Sequence, residues 1–196
     1  MIYEAKDKNV IKAANLLLNG EIIVYPTDTL YGFGVDATNE DAINKLNELK
    51  NRVQPLSIIV DSYQMLFNFC NLNEKNKDDL KKYFPGPFTL LMNKKNNLPD
   101  ILTIGSKKIG IRIPDSRFSI NIVKYINKPI VTTSVNMHNE KSLNSLNDIN
   151  TRFPNINIFS GSVNRTSKGS TIIDITTNPY STLRQGDGIE NSNQIR

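Results

Sequence analysis

The sequence predicts an α/β fold: a single-domain twisted mixed sheet with helices packed on its faces. Three observations predict it. Segments with helical apolar spacing alternate with short apolar runs of strand length through the first two thirds of the chain. The last third is nearly all strand-like runs and loops, which fits a mixed sheet better than a doubly wound parallel one. No internal repeat, low-complexity linker or composition break divides the 196 residues. One domain is therefore expected over 1–196, with its core at about 7–188 and a mobile tail at 189–196.

Each element has a local reason. Val10, Ile11, Ala14, Leu17 and Leu18 recur at helical spacing, which predicts a helix over 7–18 that Asn19-Gly20 stops. The run EIIVY at 21–25 reads as a buried strand ended by Pro26. The stretch from Pro26 to Gly34 reads as a loop that uses permissive backbone at Gly32 and Gly34. A helix follows over 39–50, capped by Asn39, with Ala42, Ile43, Leu46 and Leu49 as its apolar stripe. A strand is expected at 56–60, then a helix capped by Asp61 or Ser62, then a helix over 74–84 capped by Asn73. Further strands are expected at 89–93, 109–113, 130–133, 156–160, 170–175 and 181–184, with a helix at 118–126.

Composition excludes several classes. Hydrophobic residues are 38% and charged residues 22%, a globular balance. No apolar run approaches the roughly 20 residues of a membrane helix. The start MIYEAKD has an early acid and no apolar core after a basic stretch, so no signal peptide is expected. Cys70 is the sole cysteine, which rules out an intrachain disulfide and fits a reducing, cytoplasmic compartment. His138 is the sole histidine, so neither a multi-histidine metal site nor a Ser-His-Asp set finds support. The formal net charge of +5 comes partly from lysines at 75–82 and 94–95. Such runs are solvated surface or carry a weak preference for polyanions.

Some residues stand out against that background. Thr27, Asp28, Thr29 and Tyr31 place four hydrogen-bonding side chains in five positions after a buried strand, more than a turn needs. The pattern is neither GxGxxG nor a Walker A loop. Lys50 and Arg52 end a helix, where cations either complement its dipole or face a ligand. Arg112 interrupts an apolar strand, and Arg184 sits similarly; each is on an exposed face or directed into a site. Ser134 and Asn136 follow the apolar run at 129–133, where a strand gives way to a displaying loop. Two fixed cations facing a hydroxyl and a carboxamide suit a polyanion such as a nucleoside triphosphate.

Seven segments in order resemble the YrdC-type L-threonylcarbamoyladenylate synthases: YPTDTLYGFG, KNR with PLSIIV, FPGPFTLLM, IGIRIPDS, PIVTTSVN, GSTIIDI and TLRQG. The resemblance covers the catalytic domain of that family. Two departures are visible: Val53-Gln54 runs straight into Pro55, a shorter loop than the family's, and His138-Asn139 replaces its Ser-Gly. His138 is expected on the surface.

The resemblance implies a nucleotidyltransferase that forms threonylcarbamoyl-AMP and pyrophosphate from L-threonine, bicarbonate or CO2, and ATP. The product would feed the threonylcarbamoyl (t6A) modification of tRNA through a downstream threonylcarbamoyl-transfer complex. It implies Lys50, Arg52, Ser134 and Asn136 as the catalytic tetrad. Arg112 and Arg184 would join those four in binding ATP. Thr29, Tyr31, Thr133 and Ser170 would bind threonine. Mg²⁺ would enter with ATP, with no dedicated protein metal site. A tRNA contact is compatible with the positive charge, and no membrane partner is expected. Two rivals are an RNA-binding module of the same fold without catalysis and a carbamoyl transferase. Aromatic residues are 8% with no stacking cluster, which disfavours the first. YrdC-like domains of hydrogenase-maturation proteins, the model for the second, sit in longer chains with acylphosphatase and zinc-finger parts.

Overall fold

The computed structural model describes residues 1–51 and 54–189. Arg52 and nearly all of the tail expected at 189–196 lie outside the described residues.

The chain opens with a short strand, β1 (Ile2–Glu4), which the sequence reading placed outside the core. It pairs in parallel with β9 (Asn157–Ser160), far along the chain. A 3-10 turn at Asp7–Asn9 leads into α1 (Val10–Leu18), whose Val10, Ala13, Ala14 and Leu17 are buried. Next comes β2 (Ile23–Pro26), buried throughout.

The stretch after Pro26 corrects the sequence reading. Tyr31–Gly34 is a strand, β3, antiparallel to β2. Neither glycine takes a left-handed backbone, and Gly34 serves close packing. A Cβ on Gly34 would stand 2.6 Å from Cε1 of Tyr25, and one on Gly32 would stand 3.4 Å from the Thr133 carbonyl oxygen. The loop that remains, at 27–30, is short.

Helix α2 (Glu40–Lys50) is capped as expected: Asn39 Oδ1 accepts the Ala42 N–H at 3.0 Å. It ends at Asn51, whose φ of 48° is the left-handed conformation asparagine tolerates. Strand β4 (Ser57–Ile59) leads to α3 (Tyr63–Phe69), capped by Ser62 rather than Asp61. After β5 (Cys70–Asn71), Asn73 caps α4 (Glu74–Asp79). The helix expected over 74–84 stops there and tightens into a 3-10 turn at Leu80–Lys82. Strand β6 (Phe88–Lys94), a one-turn α5 (Asp100–Thr103), β7 (Lys108–Arg112), α6 (Arg117–Ile126) and β8 (Ile130–Ser134) follow.

The last third is not all strand and loop. Ser145 caps α7 (Leu146–Arg152), a short helix with only Ile149 buried, so it shows no apolar stripe to read. Then come β9, β10 (Thr171–Asp174) and β11 (Ser181–Arg184).

The described strands form one mixed sheet in the order β1-β9-β2-β3-β8-β4-β7-β6-β10-β11, with β5 added beside β6. Pairs β1–β9, β9–β2, β4–β7 and β6–β10 are parallel; the others are antiparallel. Helices α1 and α6 pack on each other and on β2, and α2 packs on α5. Tyr25, Phe33, Phe159 and Leu17 are among the large side chains fully enclosed in the core. Among the described residues no helix is long and apolar enough to cross a membrane. The topology brings the ends of β3, β8, β7 and β10 together, although they are far apart in sequence.

Candidate active site

A cavity of about 190 Å³ opens at that convergence. Thr29, Tyr31, Thr133 and Ser134 come to it from the β3–β8 side, Arg112 from the end of β7, and Ser170 and Arg184 from the β10–β11 side. Its wall is rich in hydroxyls and cations, and no carboxylate lines it among the described residues.

Lys50 and Asn136 are not wall residues; they support the wall at Ser134. The last turn of α2 carries Lys50 inward, leaving it 1% exposed. Its Nζ donates to Ser134 O at 2.6 Å, Asn136 O at 2.7 Å and Asn136 Oδ1 at 2.9 Å. The ring of Phe33 lies 5.4 Å from the same ammonium. A buried ammonium is costly unless its protons find acceptors, and here the loop after β8 supplies them. The loop is closed further by Ser134 Oγ donating to Asn136 Oδ1 at 2.8 Å and by Asn136 Nδ2 donating to Glu140 O at 2.7 Å. His138 is exposed, as expected, and its backbone N–H donates to Lys50 O at 3.1 Å.

Arg112 points inward, which resolves its ambiguity. Its Nη2 donates to Asp28 Oδ1 at 2.6 Å, and Nη1 reaches Thr29 Oγ1 at 3.5 Å. Thr29 is buried and also shares a hydrogen bond with Thr27 Oγ1 at 3.1 Å. Arg184 comes to the cavity from the end of β11. Its Nε and Nη2 donate to Ser170 O at 3.1 and 2.7 Å, and Nη2 also reaches Ser170 Oγ at 3.1 Å. Ser170 Oγ is linked to Thr89 Oγ1 at 2.7 Å. Gly169, at a φ of +83°, lets the chain pass the Arg184 guanidinium.

Tyr31 lines the cavity, while its hydroxyl is turned to the loop after β9. It donates to Gly161 O at 2.6 Å and accepts the Gly161 N–H at 3.0 Å. Below, burial pushes the Tyr25 phenol well above its ordinary pKa, against the opposing pull of Thr132. Tyr25 stays a neutral donor to Val131 O at 3.3 Å.

The cavity thus gathers Thr29, Tyr31, Arg112, Thr133, Ser134, Ser170 and Arg184 from the residues the sequence singled out. Lys50 and Asn136 stand behind it, and Arg52 lies outside the described residues. Sequence reasoning missed wall residues Ser57, Thr89, Ser142 and Lys168. Ser57 offered a faint signal, a lone hydroxyl in the apolar run at 55–60. Ser142 and Lys168 sit in polar loops where nothing local marks them. No cluster of three or more His, Cys, Asp or Glu side chains able to hold a metal occurs among the described residues.

Comparison with known proteins agrees with this architecture. The Sua5/YciO/YrdC family, described as telomere recombination, matches residues 15–186. A Methanocaldococcus jannaschii protein, provisionally named a threonylcarbamoyl-AMP synthase, is 33% identical over 195 aligned residues, covering 94% of this chain and 91% of its own. The structure of Pyrococcus abyssi Sua5 complexed with L-threonine superposes with a TM-score of 0.87 at 26% identity, over 95% of this chain and 57% of that one. The present chain therefore spans little more than half of that Sua5. E. coli YciO shares the fold at a TM-score of 0.88 and 18% identity, over 96% of this chain and 97% of that chain. The chain belongs to the Sua5/YciO/YrdC family.

Proposed function

We propose that this protein is an L-threonylcarbamoyladenylate synthase, joining L-threonine, bicarbonate or CO2, and ATP, with release of pyrophosphate. Family membership, the names of its relatives and the threonine-bound Sua5 neighbour support the reading. The observation that carries it is one cavity lined by hydroxyls and by two arginines, Arg112 and Arg184.

The chemistry sets the requirements. The threonine amine forms a C–N bond to the carbon of CO2 and gives up a proton, or to the carbon of bicarbonate, whose C–O bond breaks with loss of water; either route leaves a carbamate. A carbamate oxygen then bonds to the α-phosphorus of ATP. The bond from that phosphorus to the bridging oxygen breaks, and pyrophosphate leaves with the electron pair. Two anions must meet, so the work is positioning and charge neutralisation rather than nucleophilic catalysis by the protein.

Each residue has a part in that reading. Arg112 and Arg184 neutralise the phosphates from the ends of β7 and β11. Lys50 and Asn136 hold Ser134 at the edge of the nucleotide site, and Arg52 adds a further cation to the triphosphate. Thr29, Thr133, Ser170 and the ring of Tyr31 form the threonine subsite. Among the described residues the wall offers hydroxyls and no carboxylate, which fits a magnesium ion that would arrive on the triphosphate, keep much of its water and meet the Ser134 hydroxyl through that shell. It would supply neutralisation of the leaving pyrophosphate. The product would pass, in the cytoplasm, to a threonylcarbamoyl-transfer complex that modifies tRNA.

The test is pyrophosphate release by the purified protein with ATP and Mg²⁺, omitting threonine and bicarbonate in turn. Release that needs both supports the synthase. Release indifferent to threonine, or none at all, refutes it; absence of release leaves the non-catalytic RNA-binding module or the carbamoyl transferase.

A further inference from the structure

Asp28 is a buried carboxylate beside a cavity that we read as a polyanion site. A negative charge there opposes the proposed ligand, so its presence needs a reason. Its side chain is 8% exposed, and that of Arg112 is 6% exposed. One oxygen, Oδ1, accepts from Arg112 Nη2 at 2.6 Å, and the other, Oδ2, accepts the backbone N–H of Asp115 at 3.1 Å. Asp28 therefore clasps the segment from Arg112 to Asp115 at both ends, through a side chain and through the main chain.

Arg112 needs such a clasp. Its Nε is buried without a hydrogen-bond partner among the described residues, and its contact with Thr29 Oγ1 is long at 3.5 Å. The 2.6 Å bond to Asp28 is the short contact that fixes which edge of the guanidinium faces the cavity. Asp28 itself does not line that cavity; it faces a second hollow formed with Asp115, Ser116 and Asn164. It can act on a ligand in the main cavity only through Arg112.

We infer that Asp28 is a positioning residue, which aims the Arg112 guanidinium at the reacting anions and accepts the electrostatic cost of standing near them. The inference rests on the synthase reading for its kinetic readout. In Asp28→Asn the side chain keeps its size and loses its charge. Arg112 is then less firmly aimed, while the site as a whole is more positive. The KM for ATP should not rise, and kcat should fall about 10- to 100-fold, the scale of a displacement of about 1 Å. A merely structural role would lower the melting temperature without that split.

The decisive experiment is a double-mutant cycle on pyrophosphate release with Asp28→Asn, Arg112→Met and the double variant, with melting curves for all three and Asp28→Glu as a second variant. If Asp28 works through Arg112, the double variant is no slower than Arg112→Met alone, within about 2-fold. Losses that multiply overturn the inference, as does an Asp28→Asn protein with unchanged kcat. Should Asp28→Asn fail to fold, Asp28→Glu replaces it in the same cycle with the same expected non-additivity. If the native protein shows no threonine-dependent release, the cycle is read on ATP binding by calorimetry. A change in ATP affinity on Asp28→Asn that vanishes in the Arg112→Met background supports the clasp without the synthase. A change that persists there, or no change at all, overturns it, and absence of ATP binding by the native protein overturns both.

Discussion

The two sides of the cavity are built in opposite ways. The β3–β8 side is interior: Tyr31 and Thr29 are buried, Lys50 is enclosed, and the loop carrying Ser134 and Asn136 is tied to an ammonium by three hydrogen bonds. The β10–β11 side ends in an edge strand exposed along its length, and Arg184 reaches in from it to Ser170. A central wall cannot move without leaving buried polar groups unpaired. An edge strand can shift at small cost, because water replaces what it releases. The β3–β8 side is therefore the fixed half of the cavity, and the β10–β11 side is the adjustable one.

Substitutions should separate the halves. Lys50→Met should have the largest effect, since it strands carbonyl and amide oxygens that now share a buried cation. Leaving buried acceptors unpaired costs about 1–3 kcal/mol each, so both the melting temperature and the activity should fall, the latter by more than about 100-fold. Thermal melts and pyrophosphate assays would show it; a stable, active variant would mean that the loop holds itself. Arg184→Ala should lower kcat/KM by about 10- to 150-fold, the value of a charge-assisted hydrogen bond of about 1.5–3 kcal/mol. Its melting temperature should stay near that of the native protein. A large loss of stability there would erase the contrast between the halves.

Substrate choice probes the fixed half more finely. Threonine should be used in preference to serine by about 10- to 200-fold, the value of one methyl, and valine should be rejected more strongly because hydroxyl-binding groups would be left unpaired. Competitive assays, repeated with Thr29→Val, would test this; equal use of valine and threonine would remove Thr29 from the threonine subsite.

The smallest effect concerns pH and the outer half. Burial alone would raise the Asp174 pKa, but the Lys108 ammonium at 2.6 Å and the hydroxyl and N–H of Thr176 hold it below the ordinary value. A depressed folded value stabilises the protein above the unfolded pKa of about 3.9, and that contribution is lost as pH falls through the folded value. Lys108→Met should therefore cost about 1 kcal/mol or less at neutral pH, given the exposure of Lys108. The gap between variant and native melting temperatures should close below about pH 4. A gap constant with pH would place the loss in packing instead.

How much of this was legible in the sequence follows from the range of the interactions. Helices α1 and α2 announced themselves because their apolar spacing is local, and so is the Asn39 cap of α2. Strand β3 did not, because Gly32 and Gly34 are explained only by the Tyr25 ring and the neighbouring β8 strand. Strand β1 exists by virtue of β9, more than 150 residues away. At the site, residue types were legible and roles were not. Lys50 and Arg112 both read as ligand-facing cations; Arg112 lines the cavity with Asp28 beside it, whereas Lys50 is enclosed by the loop after β8. The Tyr31 hydroxyl read as a substrate contact, and it is engaged with Gly161, which no local pattern could show.

The most direct test of the central claim is mass spectrometry of the reaction mixture with ATP, L-threonine and ¹³C-labelled bicarbonate. The account predicts a threonylcarbamoyl-AMP species that carries the labelled carbon and disappears when threonine is withheld. AMP or ADP formed without that labelled adduct, with active protein and all substrates present, would contradict it.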